Sequence, residues 1–237
     1  MKKTKALGRS LIFLGLFWGV SASAEEAPRS GGTLLIGVES AVGVLDPHRA
    51  GGWSTYRVNR QIFESLVEED LSVRSEVPPL KPALARSWEV SPDGTEYTFA
   101  LREGVEFHDG TAFDAEDVVF NVRRAWDETF EYYDASAASQ LFHTYRFLAD
   151  VEVVDEYTVR FTLEQPFSSF PRMLAQGGMG SAGILNPDVI VESGQDAVAQ
   201  NPVGTGPFRF VDREIGQKVE LARNDNYWGE APDLDRA

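Results

Sequence analysis

The chain contains no cysteine and only three histidines in 237 residues, His48, His108 and His143. Without a thiol there is no disulfide, no cysteine nucleophile and no cysteine to carry a lipid at the start of an exported chain. None of the histidines stands at close spacing to another, so a zinc-type ligand pattern is missing. Positive charge is scarce as well: 22 Lys and Arg face 37 Asp and Glu, a formal net charge of −15. A surface that acidic repels phosphate backbones and anionic lipid headgroups, which excludes nucleic acid as a partner. Nor does any apolar run approach the roughly 20 residues that span a bilayer.

What is present begins with an export signal. Lys2, Lys3, Lys5 and Arg9 precede the apolar run Leu11 to Val20, and Ala22-Ser23-Ala24 closes the segment. A basic start, a short apolar core and an A-x-A site make residues 1–24 a cleavable signal peptide rather than an anchor. Cleavage leaves 213 of the 237 residues; losing four positive and no negative charges takes the formal charge from −15 to −19. The expected product is exported and periplasmic, with no membrane insertion after cleavage. Its 43% hydrophobic content suffices for a core without covalent cross-links.

Residues 25–32 read as a flexible lead-in, and Thr33 to Val38 (TLLIGV) as a short buried strand. Gly43 to Gly52 is a loop with a turn at Asp46-Pro47. Tyr56, Val58, Ile62, Phe63, Leu66 and Val67 recur at helical spacing, which predicts a helix over 54–67 packed on that strand. Two hairpins follow. In one, Tyr97, Phe99 and Leu101 alternate after an Asp93-Gly94 turn; in the other, Val151 and Val153 are joined through Asp155-Glu156 to Tyr157, Val159, Phe161 and Leu163. Between them Asp114 is placed to cap a helix, with Glu116 and Asp117 in its first turn and Val118, Val119, Val122, Ala125 and Trp126 on one face. A short helix is expected near Phe170 to Ala175, then a loop. Phe208, Phe210, Val219 and Leu221 flank Gly216 as a last hairpin. The order is mixed α and β with antiparallel pairs.

The residues offer little catalytic chemistry. Asp109, Asp114, Glu116 and Asp117 could serve as the paired carboxylates of an exported hydrolase. A turn at Asp109-Gly110 and capping from Asp114 onward explain them with less. No G-x-S-x-G marks a serine nucleophile. The stretch NPVGTGPFRF, Asn201 to Phe210, has the glycine density of a phosphate loop. Pro207 stands where a Walker loop needs lysine, and a hairpin follows where a helix N-terminus would have to be. Its glycines and prolines therefore read as conformational devices that steer the chain into a strand.

At this point the residues carry a resemblance. NPVGTGPFRFVDREIGQKVELARNDNYWG is similar to a segment shared by bacterial extracellular solute-binding proteins of family 5, the oligopeptide, dipeptide and nickel binders of ABC importers. LDPHRAGG resembles the loop after that family's first strand, and VNRQIFESLVEED the helix that follows. LKPALARSWEVSPDGTEYTFALREGVEFHDGTAFDAEDVVFNVRRAWD resembles its most recognisable block. The motifs stand in the same order from about Gly32 to Trp228.

The resemblance implies a periplasmic binding protein type II-like clamp of two lobes, α/β in class and incomplete here. Residues 25–237 would form the first lobe with a small extra domain, the second lobe being absent. It implies non-covalent capture of a peptide or other small ligand and delivery to ABC permease subunits, with no catalytic residues, metal or cofactor. In the family the loop after the first strand and the segment after the capped helix approach the ligand cleft. That points to Trp53, Tyr56, Tyr132 and Tyr133 as candidate substrate-binding residues. Aromatics suit such a site because they join broad apolar contact to a polar tip. His48, beside Pro47, raises a nickel role, but it has no partner at ligand spacing. A structural envelope protein, with no saturable ligand, is the third class to be distinguished.

Overall fold

A computed structural model describes residues 30–73, 77–175 and 182–237. The proposed signal peptide lies outside the described residues. The centre of the fold is a four-stranded antiparallel sheet made from the two expected hairpins. Strands β3 (Ala85–Val90) and β4 (Glu96–Leu101) form the first, β5 (Leu148–Asp155) and β6 (Thr158–Leu163) the second, and β4 pairs with β6 to give the order β3-β4-β6-β5. The register sets Tyr97 opposite Phe161 and Phe99 opposite Val159. With a period of two, Tyr97, Phe99, Leu101, Val159, Phe161 and Leu163 therefore share one buried face.

Helix α2 (Ala115–Trp126) covers that face. The Asp114 carboxylate accepts from the N–H groups of Glu116 and Asp117, while Asp117 accepts from the Asp114 N–H, a complete capping box. Val118, Val122 and Ala125 are buried against the sheet, and Phe170 of the short helix α4 (Phe170–Leu174) packs edge-on with Tyr97 and Phe161. Phe99 and Phe161 are fully buried. Truncating either to alanine removes about 3–5 kcal/mol.

Helix α1 (Trp53–Ile62) ends earlier than its periodicity suggests. Phe63 turns extended, Glu64 bridges Ile184, and Val67 starts a two-stranded ribbon of β1 (Val67–Glu69) and β2 (Leu80–Pro82). The reason lies in the Gly-Thr-Gly segment: the Ile62 carbonyl receives the Gly206 N–H at 2.9 Å. A Cβ on Gly204 would sit 2.2 Å from the Ile62 carbonyl oxygen, and one on Gly206 2.5 Å from that of Gln61. Neither glycine has a positive φ. They are needed for the close approach of two backbones, not for an unusual backbone conformation as expected. The chain then enters the expected hairpin of β7 (Phe208–Glu214) and β8 (Lys218–Arg223), which closes a second core with Ile62, Phe63, Leu185 and Ile190.

Three further expectations are corrected. Thr33 to Val38 is not a buried strand: Thr33 makes one isolated bridge, to Arg236, and Leu35 and Ile36 are 89% and 66% exposed. The end of the lead-in is held, with Gly31 donating to the Asp233 carbonyl and Gly32 accepting from Asp235. Two helices escaped the apolar spacing, α3 (Ala135–Tyr145) and α5 (Pro187–Ser193). Each has a polar cap, Asp134 accepting from the Ala137 N–H and Asn186 from that of Asp188.

Candidate functional site

The loop Leu45 to Gly52 is built around charge. Asp46 and Arg124 are both fully buried and form a two-pronged pair at 2.6 and 3.1 Å. The same guanidinium donates to His48 Nδ1 at 3.0 Å and to Gln195 at 2.8 Å, and His48 Nε2 donates to the Gly183 carbonyl. Burial opposes the charge on Asp46, but Arg124 outweighs it and holds the carboxyl below its usual range. Burial, with the Arg124 charge acting the same way, lowers His48 to about 4 and keeps it neutral. Arg49 extends the network by binding Asp134 and Asp196. One cluster thus fastens the loop to α2, to the cap of α3 and to the segment after α5.

This anchored loop presents the start of α1 to solvent. Gly52, at φ 87, turns the chain into the helix and supplies no side-chain cap. Trp53 is 66% exposed and meets Tyr56 edge-to-face at 6.2 Å. Residues 39–43 run along the same helix: Glu39 pairs with Arg57, Ser40 bonds Ser54, and the Gly43 N–H donates to Thr55. Their neighbours Leu34, Leu35, Ile36, Val38 and Val44 remain exposed.

Tyr132 and Tyr133 are placed differently. Tyr132 lies among Phe120 and Phe130, with ring centroids 5.2 and 5.6 Å away, and is half-buried. Tyr133, also half-buried, directly precedes Asp134, the residue that Arg49 binds. The structure therefore links the two candidate segments through Arg49 and Asp134. The aromatic pairing of each stays local, Trp53 with Tyr56 and Tyr132 with the two phenylalanines.

A half-buried carboxylate was also missed from sequence. Glu64 accepts from Tyr227 and Trp228 at 2.7 Å and from Thr205 at 2.9 Å. Burial raises its pKa and the three donors pull it back only in part. It borders a cavity of about 180 Å³ with Arg60, Glu68, Glu69 and Pro207. The suspected hydrolase carboxylates are engaged otherwise: Asp109 accepts from Thr111 and Asn186, and Asp114 and Asp117 close the capping box. His108 donates from Nε2 to the Gly206 carbonyl, another strut for the Gly-Thr-Gly segment.

The family model for bacterial extracellular solute-binding proteins, family 5 (middle), matches residues 79–237. The chain belongs to this family. A heme-binding protein A of Haemophilus influenzae is 36% identical over 199 residues, 78% of this chain and 35% of its own length. A glutathione-binding protein GsiB of Escherichia coli K12 is 32% identical over 227 residues, 94% of this chain and 40% of its own. Among solved structures, the family 5 chain is similar to the periplasmic binding protein DppA of Helicobacter pylori in complex with the peptide STSA. The TM-score is 0.78 at 32% identity, covering 88% of this chain and 42% of that one. The chain spans roughly two fifths of the length of these relatives. The family and these neighbours are solute-binding proteins, and the fold is a mixed α/β portion of their two-lobed architecture.

Proposed function

We propose that this chain is the N-terminal portion of the substrate-binding component of an ABC importer. It captures di- or oligopeptides non-covalently in the periplasm and delivers them to membrane permease subunits. Residues 1–24 direct export, and residues 25–237 form the first lobe and a small extra domain. Hinge closure against a second lobe would complete the clamp. Among the described residues, no helix is long and apolar enough to cross a membrane.

The observation that carries this reading is the exposed Trp53, paired with half-buried Tyr56 at the end of a charge-anchored loop, together with the exposed apolar residues between Leu34 and Val44. Such a surface offers area to an apolar side chain and a phenol for orientation. Tyr132 and Tyr133 approach the ligand from the side of α3. Peptide is the favoured class because two of the three relatives above are described with peptides, glutathione and STSA. The protein is no enzyme in this reading, since Asp109, Asp114 and Asp117 are engaged in turns and the capping box.

A thermal-shift screen of the complete protein against di- and oligopeptides, nickel chelates and sugars tests the proposal. A saturable rise in melting temperature with peptides alone is expected. A rise only with nickel chelates or sugars would move the ligand class. No rise with any ligand would favour a structural envelope role.

A further inference from the structure

A second surface lies away from Trp53. An open groove of about 530 Å³ runs between α2 and α5 and reaches the edge of β5. Apolar side chains form part of its lining, Phe120, Phe130, Val153 and Val191, of which Val153 and Val191 are exposed. Carboxylates contribute as well: Glu116, Asp117 and Asp188, with Glu152 already paired to Arg160. Arg123 is the cation in the lining.

We propose that this groove docks a basic, amphipathic segment of a partner protein, its apolar residues on Phe120, Phe130 and Val191 and its Lys or Arg residues against Glu116, Asp117 and Asp188. Charge complementarity selects the occupant. The lining sets Glu116, Asp117 and Asp188 against Arg123, so negative charge prevails, and an apolar floor alone would take any hydrophobic segment. Asp117, which accepts from the Asp114 N–H in the capping box, is half-buried among like charge. Burial raises its pKa to about 7, and Asp114, Asp188 and Glu116 push in the same direction. An incoming guanidinium or ammonium would relieve that repulsion, which makes basic segments favoured and acidic ones excluded.

The test uses fluorescence anisotropy of the complete protein with a labelled peptide carrying arginine and leucine at helical spacing, and a twin with glutamate for arginine. The arginine peptide should bind saturably and weaken as salt rises, while the glutamate twin should not bind. Asp188→Asn and Val191→Lys, both at exposed positions, should each weaken binding about five-fold or more with unchanged melting temperature. Glu230→Gln, an exposed charge outside the groove lining, should leave it unchanged. Equal binding by wild type and both groove variants would overturn the proposal. So would equal weakening by Glu230→Gln, which would mark diffuse attraction to an acidic protein, or the absence of any binding.

Discussion

Two regions of this molecule are built on opposite rules. Around β4 and β6 the apolar side chains are spent inward: Phe99, Phe161 and Leu101 are fully buried under α2 and α4. Around residues 34–57 the chain exposes Leu35, Ile36 and Trp53, yet the loop that leads into Trp53 rests on a fully buried ion pair. The first region holds itself together with area. The second is held by directed polar contacts, and its apolar surface is left for something else. A binding surface needs this division, because side chains that meet a ligand cannot also supply the core.

The comparison breaks most severely at Arg124. Arg124→Leu would strand the buried Asp46 charge and should lower unfolding free energy by about 3–5 kcal/mol, read from urea denaturation. If the loss were below about 1 kcal/mol, the clasp would not be what fastens the exposed region. Next comes Gly204→Ala, where the new methyl meets the Ile62 backbone and the buried Phe63 ring; about 3 kcal/mol should be lost, since neither can readily yield.

Acid should separate the regions more gently. His48 is neutral in the fold, with a pKa of about 4 against an ordinary 6.5. The unfolded chain therefore binds the extra proton first. Stability is full above pH 6.5 and falls as pH drops toward 4, by at most about 1.4 kcal/mol per pH unit from this group. His48→Gln should flatten the dependence of the urea midpoint on pH over that window. The smallest effect on stability in the closed region belongs to Asp114→Ala, about 1 kcal/mol through loss of the cap. Circular dichroism melts would register it, and a variant as stable as wild type would mean the box contributes nothing.

The closed region was the legible one. Alternation in TEYTFAL and EYTVRFTL is a local signal, and Asp114 with Asp117 is a local cap, so hairpins and helix followed from neighbouring residues. The open region was not legible in the same way. TLLIGV has the composition of a buried strand, but Thr33 and Leu34 meet only Arg236 among the described residues, and Leu35 and Ile36 stay exposed. The Asp46–Arg124–His48 clasp joins positions 76 and 78 residues apart. Nothing local marked it, because at 3.6 residues per turn Arg124 falls on a different face of α2 from Val118, Val122 and Ala125. Likewise α3 hid because its alanines and serines carry weak apolar contrast, and Asp134 was its remaining signal. The Gly-Thr-Gly segment was correctly set apart from phosphate loops, but the crowding against Ile62 that requires its glycines is tertiary.

Trp53 tests the division most directly. In the complete protein, Trp53→Ala should weaken peptide binding by about ten-fold in calorimetric titration, because it removes the exposed ring from the surface proposed to meet the ligand. Its unfolding free energy should stay within about 0.5 kcal/mol of wild type, because the ring supports no core. A variant that binds peptide as before, or one that loses stability as a core truncation does, would contradict the assignment of this surface to the ligand.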